Sequence, residues 1–407
     1  MKAILLVLDG VGIGRQPEPG NPCPPQAHTL ANTARSAGLH LPTLTAMGLG
    51  CTAEIPGVPA LGHPRASYGR SLLRYVGADS YLGHQEILGV TPPAPQPELL
   101  AASGQRVFDA LKAAGHLVTR PRPERNAFLV DDLIVVGDNL EAEPGAAVNL
   151  LVPTASAPFE YGVEVGWIVR AAVGNPRVIV CGGANFTVEE ALAELLDSGD
   201  QIGVPTPTIR LYDETYQVRH LGLPVDARRQ LPHAFTTAGL PVGLFGKVAD
   251  LANGDVDVRE PTADTAEVLH LIASQMDAWT RGLIVATVQE TDLAGHGQDP
   301  ERMARTLSSV DAALPGILDR LGPDDMLFIT ADHGNDPTIG SSAHTRECVP
   351  LLWYRPAHAG ADLGTRSSLA DPAATIAAHF DLPWPGEGEL LSEPSPPPSL
   401  TTRGQHR

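Results

Sequence analysis

Asp332 and His333 stand side by side in ADHGNDP, and His344 follows eleven residues later in HTRE. Carboxylate oxygen and neutral imidazole nitrogen suit divalent first-row metal ions. Two other places offer the same residue types. Asp292 and His296, in TDLAGH, are four apart, so a single helical turn would present both on one face. Asp9 ends the opening apolar run, residues 3–8. One Asp after a strand is ordinarily a helix cap or turn residue, and a lone His is ordinarily structural. Three strand ends that together deliver three Asp and three His point instead to a metal centre. Six ligands exceed what one tetrahedral site uses. Three carboxylates would offset much of the charge of two dications, and two ions about 3.5–4 Å apart can clamp the attacking and leaving oxygens of a phosphoryl transfer. The candidate nucleophile is Ser80, in the Gly-flanked turn GADSYLG, where a nearby metal would lower the pKa of its hydroxyl. Taken alone, a serine in a GxDS turn reads as a helix N-cap.

The elements that must position these residues follow from the hydrophobic pattern. Short apolar runs at 3–8, 240–245, 282–288, 326–330 and 349–353 fit buried strands. Helical patterns at 263–280 and 302–320 alternate with them, the second holding Pro315 as a possible kink. Such alternation implies an α/β fold with a mostly parallel sheet and helices on both faces. Each Asp lies just past a strand, and open α/β sheets bind ligands beyond the carboxyl ends of their strands. Shorter helices are expected at 27–37 and 43–47. After the linker-like PPAP at 92–95, helical patterns at 99–114 and 188–196 mix with strand patterns at 127–130, 133–136 and 177–181; residues 162–173 fit either. That is enough for a small α+β domain. The organisation expected is a core from 1–98 and 219–390, an inserted smaller cap at 99–218, and a flexible Pro- and Ser-rich tail at 391–407. The cap segment holds no metal-spaced cluster, which suits a covering role.

Composition bounds the function. At 407 residues and 43% hydrophobic, the chain is long enough for two domains with a sizeable core. A net charge of −19 argues against a nucleic-acid surface. It also repels a phosphorylated substrate overall, so an anion site must rely on local cations. Cys23, Cys51, Cys181 and Cys348 form no CxxC pair and read as reduced thiols of a cytoplasmic protein. The apolar start is too short for a signal peptide, and no stretch approaches the roughly 18 apolar residues of a membrane helix. Nothing in the sequence specifies an oligomeric state.

Several segments resemble the phosphopentomutase family of the alkaline phosphatase superfamily of metalloenzymes: VLDGVGIG at 7–14, ASYGR at 66–70, GADSYLGHQEILG at 77–89, YQVRHLGLP at 216–224, FGKVADL at 245–251, and ADHGNDP with HTRECVPLL at 331–352. The resemblance implies an alkaline-phosphatase-like core with an inserted cap. It implies that Asp9, Ser80, Asp332 and His333 serve one metal, and Asp292, His296 and His344 the other. It also implies manganese, where the ligand types alone would equally permit zinc or magnesium. Ser80 becomes the phosphorylated nucleophile, and Arg219 and Lys247 become phosphate-binding cations. The implied activity is an intramolecular phosphate transfer on a phosphorylated sugar, ribose 1-phosphate to ribose 5-phosphate, through a phosphoserine enzyme. A metal-dependent phosphatase or phosphodiesterase, or a phosphoglycerate-mutase-like enzyme, would use the same centre; a non-catalytic binding protein on a relic fold is a further alternative. Three departures mark a divergent branch. Serine stands at 80 where bacterial phosphopentomutases usually carry threonine. The spacing from Asp292 to His296 resembles cofactor-independent phosphoglycerate mutases more than the DFDMxxGH pattern. The inserted segment carries VGDNLEAEPG at 136–145 in place of a GNxxASGT-like stretch.

Overall fold

Successive residues of a strand point to opposite faces of its sheet, so a strand buried at every position must be covered on both sides. The strands Val242–Gly246, Gly282–Val288 and Met326–Thr330 are buried throughout, and Lys2–Leu8 is buried from its second residue on. In the computed structural model, which describes residues 1–141, 144–211, 215–356 and 358–392, these four strands lie side by side and parallel. They sit inside a sheet of eight strands among the described residues. Its order is Val258–Glu260, Val242–Gly246, Gly282–Val288, Lys2–Leu8, Met326–Thr330, Val349–Tyr354, Ser67–Ser71, Asp362–Arg366. Only Val349–Tyr354 runs antiparallel to its neighbours, so the sheet is mostly parallel, as the α/β reading requires. Two sets of helices cover it. Thr29–Ala37, Pro42–Met47, Thr265–Ala278 and Glu290–His296 pack around the long helix Pro300–Leu318; Ser80–Ile87, Leu231–Thr237, Lys247–Leu251 and Asp371–His379 form the other set. The long helix continues through Pro315 and ends one turn beyond it.

The chain divides into two compact units. The first comprises 1–92 and the described residues from 225 onward; the second is Pro93–Pro224. The second therefore takes in 93–98 and 219–224 beyond the expected 99–218. Its entry segment is tied inside it: Gly174 donates its N–H to Glu98 Oε1 at 2.8 Å, and Gln96 donates its N–H to Gly174 O at 2.8 Å. Its exit strand, Gln217–Gly222, pairs with Arg177–Gly183. The sheet of this unit runs Gln217–Gly222, Arg177–Gly183, Ala147–Pro153, Ile134–Asp138, Phe128–Val130, Val118–Thr119. The segment whose pattern fitted helix or strand is the helix Phe159–Ala172. Its buried face is Gly162, Val165, Gly166 and Val169, a helical spacing. Ala142 and Glu143 of the 136–145 stretch, and the tail beyond 392, lie outside the described residues. All four cysteines are free thiols. Among the described residues no helix is long and apolar enough to cross a membrane.

One buried carboxylate ties the loop after the first strand to the loop around Asp332. Glu347 accepts hydrogen bonds from Gly14 N, Thr29 N and Thr29 Oγ1, each at 2.9 Å, and from Thr345 Oγ1 at 2.6 Å. Gly12 leaves it room, because a Cβ there would lie 2.4 Å from Glu347 Oε2. Removing the carboxylate strands the buried Thr29 amide and the half-buried Gly14 amide. Glu347→Ala is expected to lower the unfolding free energy by roughly 2–3 kcal/mol, read from urea denaturation. An unchanged denaturation curve would contradict this role.

Candidate metal centre

Four neighbouring parallel strands end at one edge of the first unit, and each hands over to a polar residue. Val242–Gly246 leads directly to Lys247, Gly282–Val288 to the helix Glu290–His296 with Asp292 and His296, Lys2–Leu8 to Asp9, and Met326–Thr330 to Asp332 and His333. Because the strands are parallel, their carboxyl ends share that edge. Ser80 is the first residue of the helix Ser80–Ile87. Asp79, not Ser80, is the N-cap, accepting the Leu82 N–H at 3.1 Å. This leaves the Ser80 hydroxyl free to turn into the centre. His344 is delivered by the loop that paired backbone bonds between Gly334 and Thr345 close, at 2.9 and 2.7 Å. Its ring stacks on His333 with centroids 3.9 Å apart.

The ligand atoms form two overlapping clusters, Asp9–Asp332–His333 and Asp292–His333–His344, each with all members within 4.8 Å of one another. His333 thus faces both clusters rather than one. Ser80 Oγ donates to Asp9 Oδ1 at 3.1 Å, lies 2.7 Å from His333 Nε2 and accepts from Lys247 Nζ at 2.8 Å. His344 Nε2 is 3.3 Å from Asp292 Oδ1 and 3.1 Å from His296 Nε2. The His296 nitrogen is 3.4 Å from Asp292 Oδ2. Asp9, Asp332 and His333 have no solvent exposure, whereas the His296 side chain is 42% exposed, so the centre grades from closed to open. Of the two expected phosphate cations, Lys247 belongs to this cluster. Arg219 lies in the other unit, exposed on the strand Gln217–Gly222.

Three imidazoles share one orientation. His296 Nδ1 lies 2.7 Å from Ser342 O, His333 Nδ1 3.0 Å from Gly334 O, and His344 Nδ1 3.2 Å from Ala78 O. A backbone carbonyl can only accept, so each Nδ1 carries a proton; the Nε2 turned to the centre donates to a carboxylate when the ring is charged and gives its lone pair to a metal ion when the ring is neutral. The carboxylates add to this. Burial and the charge of Asp332 push the Asp9 carboxyl up to about 7. Burial also acts upward on Asp332, but His333 and His84 outweigh it and hold that carboxyl low. Asp292 is likewise held low against burial by hydrogen bonds from His296 and His344. Lys247 ion-pairs with Asp9 at 2.8 Å and Asp292 at 3.0 Å; against burial, those carboxylates raise its pKa. One ammonium against three buried carboxylates leaves negative charge that a dry interior tolerates only when it is compensated. Converging carboxylate oxygens and imidazole Nε2 atoms fit divalent metal ions. Asp9, Ser80, Asp332 and His333 would hold one; Asp292, His296 and His344, with His333 in reach, would hold the other.

Sequence reasoning passed over the residues that hold this set in place. His84 is fully buried, with Nδ1 2.8 Å from Ser80 O and 3.0 Å from Asp332 Oδ2, and Nε2 2.8 Å from Thr287 Oγ1. Asn335 donates to Asp292 Oδ1 at 2.8 Å, Gly10 N–H to Asp332 Oδ1 at 3.1 Å, and Tyr75 Oη to Asp332 O at 2.9 Å. Only His84 carried a local signal, its helical spacing of four from Ser80.

A model of the Metalloenzyme superfamily matches residues 1–383. A protein named phosphopentomutase from Symbiobacterium thermophilum is 32% identical over 410 residues, covering 96% of this chain and 98% of that one. A second, from an Anaeromyxobacter species, is 32% identical over 389 residues, covering 93% and 95%. Among solved structures, Leishmania mexicana phosphoglycerate mutase aligns over 96% of this chain and 98% of its own, with 13% identity and a TM-score of 0.45.

The two clusters make separate demands. Metal analysis of dialysed protein is expected to find about two divalent ions per chain, and about one fewer in Asp332→Asn and in His344→Ala. Unchanged metal content in both variants would contradict the two-cluster centre.

Proposed function

This chain belongs to the phosphopentomutase family within the Metalloenzyme superfamily, and from that premise we propose that it is a metal-dependent phosphomutase, an isomerase that exchanges ribose 1-phosphate and ribose 5-phosphate through a phosphorylated Ser80. The observation that carries the reading is the setting of the Ser80 hydroxyl. It is 5% exposed, donates to Asp9, accepts from Lys247, and lies 2.7 Å from His333 Nε2. The Lys247 ammonium, and a divalent ion held by Asp9, Asp332 and His333, would stabilise negative charge on that oxygen. The names of the relatives support a phosphorylated pentose as the substrate, and the family resemblance supports ribose. Manganese is the metal we propose, on the resemblance and the mixed oxygen and nitrogen ligands. The free thiols support a reducing, cytoplasmic setting.

The phosphorylated serine faces the free hydroxyl of the bound sugar phosphate. A new bond forms between that hydroxyl oxygen and phosphorus as the bond from phosphorus to Ser80 Oγ breaks, and the hydroxyl proton ends on Ser80 Oγ. The sugar bisphosphate re-orients within the site. Ser80 Oγ then takes the second phosphoryl group, and its proton passes to the departing sugar oxygen. Lys247, 2.8 Å from Ser80 Oγ, places its positive charge where phosphoryl oxygens must gather in both halves. The metal ions, when bound, supply charge neutralisation along the in-line path and acidify the serine hydroxyl. A mutase must also deny water access to the phosphoserine. We assign that task to the inserted unit, Pro93–Pro224, acting as a cap.

Intact-protein mass spectrometry should find one phosphate, mapping to Ser80 by peptide analysis. Ser80→Ala should lower isomerisation on the order of a thousandfold or more while the fold persists. With manganese and ribose 1-phosphate, the product should be the isomerised sugar phosphate with little free phosphate. Normal turnover by Ser80→Ala removes the nucleophile, and steady phosphate release identifies a phosphatase instead.

A further inference from the structure

The helix with Ser80 at its start ends at Ile87, and the chain leaves the first unit soon after, at Pro92; it re-enters at Val225. A C-terminal loop, residues 384–387, grips both crossing segments. Glu387 donates its N–H to Gly89 O at 2.7 Å, and its carboxylate accepts from Thr91 Oγ1 at 2.7 Å. The same carboxylate lies 3.5 Å from Arg229 on the returning segment and 3.5 Å from Arg74 on the segment leading to Ser80. Arg229 Nε donates to Pro385 O at 3.2 Å, and Trp384 Nε1 donates to Glu387 O at 2.9 Å. The Trp384 ring lies over Gly89, where a Cβ would come within 2.4 Å of it. The two crossing segments also join each other: Leu231 donates its N–H to Leu88 O at 2.9 Å, and Gln230 Nε2 donates to Gln85 Oε1 at 2.6 Å.

An eight-residue helix is a stiff rod. A shift at its carboxyl end reaches the serine at its start, and a misplacement of about 1 Å at a reacting atom can cost on the order of a hundredfold in rate. Units joined through chain crossings of this kind are expected to move relative to one another. We propose that Glu387, with Trp384, is a positioning residue. It pins the outgoing and returning segments together at the foot of the nucleophile helix, so that movement of the inserted unit is taken up beyond Thr91 and not passed to Ser80. The catalytic consequence rests on the mutase reading; the pinning itself does not.

The test uses the full-length, metal-loaded protein and hydrogen exchange read by mass spectrometry. In Glu387→Ala and in Thr91→Val, exchange in peptides spanning 80–91 and 225–231 should rise about tenfold, the scale of one lost charge-assisted hydrogen bond. Peptides from 2–8 and 282–288 should stay as protected as in the wild type, and metal content should not change. Glu387→Gln keeps an acceptor for Thr91 and should restore most of the protection. With ribose 1-phosphate, Glu387→Ala should release a larger share of phosphate to water at unchanged metal content. Wild-type exchange in both segments overturns the pinning. Exchange raised equally in the central strands also overturns it, because that is general loosening. Raised exchange with wild-type partition between isomer and free phosphate overturns the positioning role. If the wild-type protein does not isomerise the sugar, the proposed activity fails, and the exchange measurement still decides the pinning.

Discussion

Three carboxylates that repel one another are brought to one buried point, and the first unit is built around making that tolerable. Asp9, Asp292 and Asp332 are each almost wholly withdrawn from solvent. Parallel strands force the arrangement, since the strands leading to them are adjacent and end at the same edge. Desolvating one unpaired carboxylate costs several kcal/mol, roughly, even after the protein relaxes. Lys247 compensates part of the charge by pairing with two of the three. The histidines answer the rest in another way: their Nδ1 protons are committed to backbone carbonyls, and their Nε2 atoms face the same space as the carboxylates. A cluster that is both anionic and rich in lone pairs is completed by divalent cations, so metal binding and the local fold stabilise each other.

Around this cluster lies a layer whose function is to hold directions. His84 touches the backbone of Ser80, the carboxylate of Asp332 and the hydroxyl of Thr287, joining the nucleophile helix to two strand ends. Glu347 and Arg346 work beneath it. Glu347 gathers the loop after Asp9, and Arg346 donates to the carbonyls of Tyr75 at 2.6 Å and Gly77 at 2.7 Å, just ahead of Ser80. Charged groups with several fixed partners suit this task, because moving one requires breaking all of its bonds.

The outline of this arrangement is legible in the sequence because strand ends and metal ligands carry local signals. The apolar runs before Asp9, Gln289 and Ala331 mark strands, and Asp and His beyond them mark ligands. What is not legible depends on contacts distant in the chain. Asn335 meets Asp292 and Tyr75 meets Asp332 across long separations, with no periodicity at either residue. Ser80 and Asp79 illustrate a finer limit: the GxDS pattern announces a helix start but not which of the two residues caps it, and the structure gives that task to Asp79. Very short strands such as Val118–Thr119 and Val258–Glu260 carry too few residues to show alternation. Lys247 required the family resemblance, since a lysine after a strand reads as solvated surface, and Arg219 on the same grounds proves to be an exposed residue of the other unit.

The claim on which the account turns is that phosphate passes between two hydroxyls of one sugar by way of Ser80, with water excluded. Turnover of ribose 1-phosphate in water enriched in oxygen-18, followed by phosphorus NMR, tests it directly. The account predicts ribose 5-phosphate whose phosphoryl oxygens carry no label, with inorganic phosphate a trace. Labelled inorganic phosphate accumulating in step with substrate loss would contradict it.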